Sequence, residues 1–563
     1  MTNQLKTSFK SSSRKTDRYF ISGLLILSAG LQILSFSPYH IWPLGFISFT
    51  PLFLLIDKYE LSIKRAFRWG IVLAIAFYTF ISYWLFSTII VYGHFPPWLG
   101  YITFAGYCII NSSRFILFFL LIYLFSRVEI KANSRFRPLI QNRYLAWPVF
   151  WTISELLGWE LFPVAGANLV SGDDLFIQAA DIVGIHGLSL IWFLVNLAIY
   201  DIAKRFYSLL KKSKASVKRD TENLKPAFVI LSLFLLLHVY GYFAKSHWDK
   251  KQKHFDTANF AVIQGNAPLA FSEISNINTF RYSVLNNIVD QTITLLQKAR
   301  ENNRPIDFVV WPESGVPLLS FAQHTQMQQK VYSIQDEYGV DFILNDIDPV
   351  RTLSGKVDYF NNMWLIPQSE TGKTNYHKII LLPFGEYIPF SNMFPVLSEL
   401  VPEVSNFTPG DQKILLPSKI GPILPSICYE LMISRFTLDF FKKTNRQARV
   451  IVNLTNDTWF GKSAENFQHL ELARIRAIEL RLPIVRSTKS GISAFIDITG
   501  TVFNPTPQDS RAERVYEVSI PEKAESLFSI WGYMPLYIYL LIIFFMQSFV
   551  FIQSRLQARS NEK

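Results

Sequence analysis

The sequence predicts a multi-pass α-helical membrane protein that carries one extracytoplasmic α/β domain. Three observations predict it. Half of the 563 residues are hydrophobic, including 49 Phe, 25 Tyr and 13 Trp, yet charged residues still make up 17%, so a membrane part and a water-facing part share the chain. Apolar runs crowd residues 19–244 and recur once near the C-terminus, at 528–552. Between them, over 256–522, short β-type runs alternate with helical patterns, which argues for an α/β domain.

Residues 1–18 form a polar, basic tail (Lys6, Lys10, Arg14, Lys15, Arg18), expected to be disordered and cytoplasmic. Apolar runs follow at 19–36, 41–57, 69–92, 99–126, 144–163, 175–203 and 226–244. Several reach the roughly 20 residues a helix needs to span a bilayer, so about seven spans are expected before residue 245. The first run is followed by no small-residue cleavage site and is read as a retained anchor. The loops alternate in charge. The tail, the loop with Lys58, Lys64, Arg65 and Arg68, the loop with Arg127, Lys131, Arg135, Arg137 and Arg143, and the loop 204–225 are basic, whereas the intervening loops carry almost no Lys or Arg. Basic loops stay in the cytoplasm, so an odd number of spans delivers 256–522 to the far side and the 528–552 span returns the chain. The net charge of +12 therefore points to a membrane surface; no aromatic-rich basic motif for nucleic acid is present. Two cysteines exclude a disulfide scaffold.

Within 256–522, strands are expected at 259–264, 307–312, 340–345, 363–366, 379–382, 422–428, 450–454 and 491–498. Leu285, Ile288, Val289, Leu295, Leu296 and Ala299 recur at helical spacing, and a second helix is expected over 467–480. Neither a Gly-rich phosphate loop nor a His-Glu-x-x-His zinc motif occurs, and no metal or diffusible cofactor is expected.

Three strand ends present reactive side chains. Val-Val-Trp-Pro-Glu-Ser places Glu313 after a buried run, Lys378 opens the run that leads to Pro-Phe-Gly-Glu386, and Cys428 ends the run 422–428. A free Cys is most often a small buried apolar residue, as Cys108 is expected to be within a membrane run. A Glu after Trp-Pro can be a helix cap, and a Lys before a strand is usually solvated. Together they have the parts for covalent acyl transfer: a thiol nucleophile, a carboxylate to take its proton, and a cation for the oxyanion. Side chains at the carboxyl ends of strands gather on one edge of an α/β sheet, which would bring them together.

Trp-Pro-Glu, Tyr-x-Lys followed by Pro-Phe-Gly-Glu, and Ile-Cys-Tyr-Glu resemble the signatures of the nitrilase (carbon–nitrogen hydrolase) superfamily. Asn453–Gly461 and Arg486–Gly491 extend the match, and with the flanking apolar runs the whole chain resembles the apolipoprotein N-acyltransferase family. The resemblance implies a nitrilase-like αββα sandwich with Glu313, Lys378 and Cys428 as a triad, Glu386 and Glu430 as supporting acidic residues, and Tyr429 as a pocket residue. Phe271 is the candidate substitute for a Trp that the family has after the first strand. Further departures fall around Trp147 and Glu155, where Leu157-Gly158 and Leu161-Phe162-Pro163-Val164 replace the family's residues. The implied activity is bacterial: transfer of an acyl chain from a phospholipid to the amine of a diacylglyceryl-cysteine lipoprotein, through a thioester on Cys428, at the inner membrane with the domain in the periplasm. A membrane-tethered amidase or acyl hydrolase using the same triad is the alternative. A non-enzymatic scaffold or transporter would show a relay of intramembrane ionisable residues; Arg114, Glu155 and Glu160 are the residues to examine.

Overall fold

A computed structural model describes residues 14–561 except 92, 94–95, 128–141, 211–223, 269–275, 318, 354, 370–371, 390, 392, 394–405 and 524–525. Most of the basic tail, most of the loops at 127–143 and 204–225, and Phe271 thus lie outside the described residues. The end of the tail differs from expectation, because the first helix begins at Arg14 and runs to Ser35.

Among the described residues, four helices are long and apolar enough to cross a membrane: Asp17–Ser35, Pro97–Ser126, Phe176–Leu210 and Lys225–His254. A fifth span results if Ile63–Ile81 and Tyr83–Val91, bent by 66°, are taken as one. Two of the expected runs do not form full-length helices. The run 41–57 becomes a short 3-10 helix, Trp42–Ile47, and a nine-residue helix, Thr50–Lys58, because prolines at each start punctuate it. The run 144–163 is helical only over Arg143–Leu157. Beyond it the chain turns irregular through 158–165, held by the Glu160 carboxylate, which pairs with Arg114 at 2.8 Å and accepts from the Tyr78 hydroxyl. Arg114 also donates to the Val164 carbonyl at 2.6 Å. Glu155 accepts from Ser189 Oγ at 2.9 Å, lies 3.0 Å from His186 Nδ1, and accepts from Gly166 N at 3.3 Å. Among the described residues these ionisable groups brace the stretch 158–166 and form no relay. Cys108 is buried among apolar side chains.

The α/β half contains two sheets. The first has six strands in the order β11-β1-β2-β3-β4-β5, with β1 Asp256–Gln264, β2 Phe308–Val310, β3 Asp341–Arg351, β4 Val357–Ile366, β5 Thr374–His377 and β11 Ala512–Ile520. The second has five in the order β10-β9-β8-β7-β6, with β6 Ile423–Ile427, β7 Val450–Thr455, β8 Ile484–Thr488, β9 Ala494–Ile496 and β10 Val502–Phe503. Strands β1, β2 and β3 are mutually parallel, as are β6, β7 and β8.

Alternation along each strand builds the layers. In β1 and β2, Ala258, Phe260, Val262, Phe308 and Val310 face the second sheet and share a core with Ile423, Val450 and Val452 on one face of it. Ala261, Ile263 and Val309 face the other way, onto Leu285, Ile288 and Leu296 of helix Ile277–Glu301 and Val331 of helix Thr325–Tyr338. Helices Ser434–Lys443 and Glu465–Leu480 cover the second sheet through Phe440, Phe441, Ala473 and Ala477. The result is the expected layering of helices, sheet, sheet and helices.

One expected strand is displaced. The ladder uses Thr374–His377, and 379–382 is not a strand, because the backbone N–H groups of Ile379 and Ile380 donate to the Glu430 carboxylate at 2.8 and 3.2 Å and not to a neighbouring strand.

Candidate active site

The carboxyl ends of β2, β5 and β6 open on the same edge, and each is followed by one of the three candidate residues. Glu313 follows β2 by way of Trp311-Pro312, Lys378 directly follows β5, and Cys428 directly follows β6. The backbone at Cys428 has φ 50°, a left-handed conformation that a non-glycine residue adopts at a cost of about 1–3 kcal/mol. That turn ends the strand and starts a 3-10 helix, Cys428–Met432, leaving the thiol-bearing residue part exposed while Tyr429 and Glu430 are buried.

Lys378 is buried and held by two carboxylates, with Nζ 2.7 Å from Glu386 Oε2 and 3.6 Å from Glu313 Oε1. Asn361 on β4 ties the carboxylates together: its Nδ2 donates to Glu313 Oε1 and to Glu386 Oε1, both at 2.8 Å. Asn361 is held in turn by Asn345 of β3, whose Nδ2 donates to Asn361 Oδ1 at 2.7 Å and whose Oδ1 accepts from Ser314 N at 2.8 Å. The Leu382 N–H donates to Glu386 Oε2 at 2.8 Å. Glu313 Oε2 alone of these carboxylate oxygens is buried with no well-formed hydrogen bond among the described residues. It is the oxygen open to a proton.

The electrostatics follow from this geometry. Burial raises Glu313 above the usual carboxylate range, against the pull of the Lys378 ammonium, so it has the affinity of a base. Burial would lower Lys378, but the charges of Glu386 and Glu313 outweigh it and hold the ammonium well above the ordinary lysine value. Burial and the Glu313 charge push the Cys428 thiol well up, against Lys378. Cys428 thus rests as a thiol, and a thiol needs a base to react as a nucleophile.

Glu430 has a different place. Its Oε1 accepts from Tyr376 Oη at 2.7 Å and from the Ile379 and Ile380 amides, and its Oε2 accepts from Ile427 N at 2.9 Å. It clamps the stretch after Lys378 to the turn that carries Cys428, and burial raises it to about 7. Tyr429 turns toward the helical half, donating from Oη to the Leu161 carbonyl at 2.5 Å with its ring edge-on to Phe162.

A second buried cluster lies behind Cys428. Asp457 accepts from Arg486 Nη2 at 2.8 Å and lies 3.3 Å from His469 Nδ1, which is 3.5 Å from Glu465 Oε1. Ligand atoms of Asp457, Glu465 and His469 lie within 4.8 Å of one another, close enough to share a metal ion. The Arg486 guanidinium already supplies a positive charge there, and it depresses Asp457 although burial alone would raise that acid.

The structure thus brings together Glu313, Lys378, Cys428 and Glu386, and sets Glu430 and Tyr429 to bracing the turn. Sequence reasoning missed Asn361 and Asn345; the available signal was an amide pair, Asn361-Asn362, inside an otherwise apolar strand pattern.

Comparison with known proteins agrees with this architecture. The apolipoprotein N-acyltransferase N-terminal domain family matches residues 28–198, and the carbon–nitrogen hydrolase family matches 261–524. The chain belongs to the apolipoprotein N-acyltransferase family. Its relatives in this family include apolipoprotein N-acyltransferase 2 of Leptospira interrogans, 28% identical over 535 residues, covering 83% of this chain and 85% of that one. The Geobacter metallireducens apolipoprotein N-acyltransferase is 28% identical over 518 residues, covering 90% and 91%. Among solved structures, Saccharomyces cerevisiae Nit3 of the nitrilase superfamily matches 50% of this chain and 95% of its own, with 14% identity and a TM-score of 0.35.

Proposed function

We propose that this enzyme N-acylates apolipoproteins by a two-step transfer through Cys428, with a phospholipid as acyl donor and the free amine of a diacylglyceryl-cysteine as acceptor. The observation that carries this reading is Glu313 Oε2, the one oxygen of the two carboxylates around Lys378 that has no well-formed hydrogen bond among the described residues. In the first step Glu313 takes the thiol proton as Cys428 Sγ attacks the ester carbonyl of the donor. The Lys378 ammonium faces the oxyanion that forms. Collapse breaks the ester C–O bond, and Glu313 returns its proton to the departing alcohol oxygen, giving a lysophospholipid and a thioester. In the second step the acceptor amine attacks the thioester and loses a proton to Glu313. The C–S bond breaks, an amide forms, and the proton goes back to sulfur.

Two lipid-bound substrates suit a site joined to apolar helices. Tyr429 bonds to Leu161, and Trp84 packs edge-on to both Phe162 and Phe460 at 4.9 and 4.8 Å, so the nucleophile turn and the 457–460 turn rest on the helical half. The distribution of Lys and Arg among the loops supports an inner-membrane location with the α/β half on the periplasmic side. The test is Cys428→Ala in the full-length protein with a diacylglyceryl lipopeptide and phospholipid. Transfer is expected to vanish, together with the acyl adduct seen by mass spectrometry on the wild-type protein; wild-type transfer by this variant would end the reading.

A further inference from the structure

Lys489 is a buried ion for which the two-step chemistry has no use. It directly follows β8, and its backbone is pinned on both sides: its N–H donates to Thr455 O at 3.0 Å, and its carbonyl accepts from Asn266 N at 2.8 Å. The ends of β1, β7 and β8 therefore meet around it, on the edge that also carries Glu313 and Cys428. The side chain is fully buried, and Nζ has no hydrogen-bond partner among the described residues. An ammonium in such a place normally finds an acceptor or gives up its proton. Burial lowers Lys489 to about 8, and the charge that opposes this is that of Glu313. Glu313 in turn has its own buried oxygen, Oε2, with no well-formed hydrogen bond among the described residues, and the Cys428 thiol bears on that carboxylate.

Charge balance gives this pairing a purpose. Glu313, Glu386 and the Lys378 ammonium together leave one net negative charge in the site, and the reaction moves that charge from Glu313 to sulfur and then to the oxyanion. A second ammonium brings the resting sum to zero. The other ionisable groups around the edge do not supply it. On the β7 and β8 side, Asp457 is matched by Arg486 and flanked by His469. Glu465 beside them is pushed well up by burial and by the Asp457 charge, and Glu430 is engaged by four hydrogen bonds.

We propose that Lys489 is a positioning residue whose buried ammonium is the counter-charge that keeps Glu313 ionised, and so able to take the Cys428 proton, at neutral pH. It acts through Glu313 and touches neither substrate. The inference rests on the acyl-transfer reading only for the identity of the substrate. Removing the charge raises the Glu313 pKa further, so the base form appears only at higher pH.

The test follows the pH dependence of Cys428 alkylation by iodoacetamide, read on the Cys428 peptide by mass spectrometry in full-length detergent-solubilised protein. Lys489→Met and Lys489→Gln are expected to move the rising limb to higher pH by about one unit, which slows alkylation about tenfold below the limb. Lys489→Arg should restore the wild-type limb. A rising limb that stays in place in the neutral variants overturns the proposal, even if the rate falls. Should the neutral variants fail to fold, the wild-type protein supplies a second check. Infrared difference spectra against Glu313→Gln should show an ionised Glu313 carboxylate at neutral pH in the wild-type protein and in Lys489→Arg. A protonated Glu313 carboxyl at neutral pH in either protein overturns the proposal. A shifted alkylation limb in a protein that phospholipid never acylates would instead count against the acyl-transfer reading and leave this inference standing.

Discussion

The two sheets bring different things to one site. The edge of the six-stranded sheet supplies Glu313, Asn345, Asn361, Lys378 and Glu386, linked by hydrogen bonds and ion pairs so that one carboxylate oxygen stays open. The edge of the five-stranded sheet supplies Cys428, Asp457 and Lys489, with Glu465 and His469 behind them, and there several polar atoms have no hydrogen bond among the described residues: both Glu465 oxygens, His469 Nε2 and Lys489 Nζ. Satisfied polar networks fix geometry, whereas unsatisfied buried groups settle their cost by changing protonation. The first edge holds charges in place, and the second holds groups whose charge state is negotiable.

The same substitution at one carboxylate on each side tests that contrast most sharply. Glu313→Gln keeps the acceptor for Asn361 but removes the base, so acyl transfer should fall by about 10²–10⁴-fold. Glu465 is driven toward its neutral form by burial and by Asp457, so Glu465→Gln replaces one uncharged group with another of the same shape. Transfer by that variant should stay within about threefold of wild type, since neither the charge nor the shape at that position changes. Initial rates with a lipopeptide acceptor decide it, and a Glu465→Gln enzyme as inactive as Glu313→Gln would erase the distinction between the edges.

Next in size is the effect on stability. Lys378→Met removes the shared cation and leaves Glu313 and Glu386 as neighbouring buried carboxylates joined only through Asn361. Breaking a buried pair in this way costs about 3–5 kcal/mol. Thermal unfolding in detergent should show a lowered Tm at neutral pH that recovers as pH falls and the carboxylates protonate. A Tm equal to wild type at both pH values would mean that the first edge is not held by charge.

How much of this was legible in the sequence follows the same division. Glu313, Lys378 and Cys428 were legible because each is a reactive residue type at the end of an apolar run, and parallel strands carry such ends to one edge. Asn361 and Asn345 were not, since an amide inside a strand reads as noise until the β3–β4 pairing sets Asn345 against Asn361 and aims the Asn361 amide at the carboxylates. The stretch 379–382 looks like a strand because it is apolar. Its amides are claimed by Glu430, about fifty residues downstream, and no local pattern announces that. Strand β11 pairs with β1 from the far end of the domain, and its half-buried face hides the alternation that would mark it. Lys489 was visible only as part of a motif, because burial without a partner is a property of the folded edge.

The smallest expected effect concerns how the negotiable edge is kept in register. Tyr429 follows the nucleophile directly, and its hydroxyl donates to the Leu161 carbonyl in the irregular segment that Arg114 and Glu160 hold. Tyr429→Phe keeps the ring against Phe162 and deletes one hydrogen bond, worth about 0.5–1.5 kcal/mol. Global stability should barely move. The left-handed turn at Cys428, however, would lose its tie to the helical half, and the thiol would sample more orientations relative to Glu313. The expected result is a few-fold lower acylation rate with unchanged pH dependence, because no charge near Glu313 is altered. That pattern separates a loss of placement from the loss of counter-charge expected at Lys489. A displaced pH limb in Tyr429→Phe would show that the turn, and not the second ammonium, governs the protonation of the base.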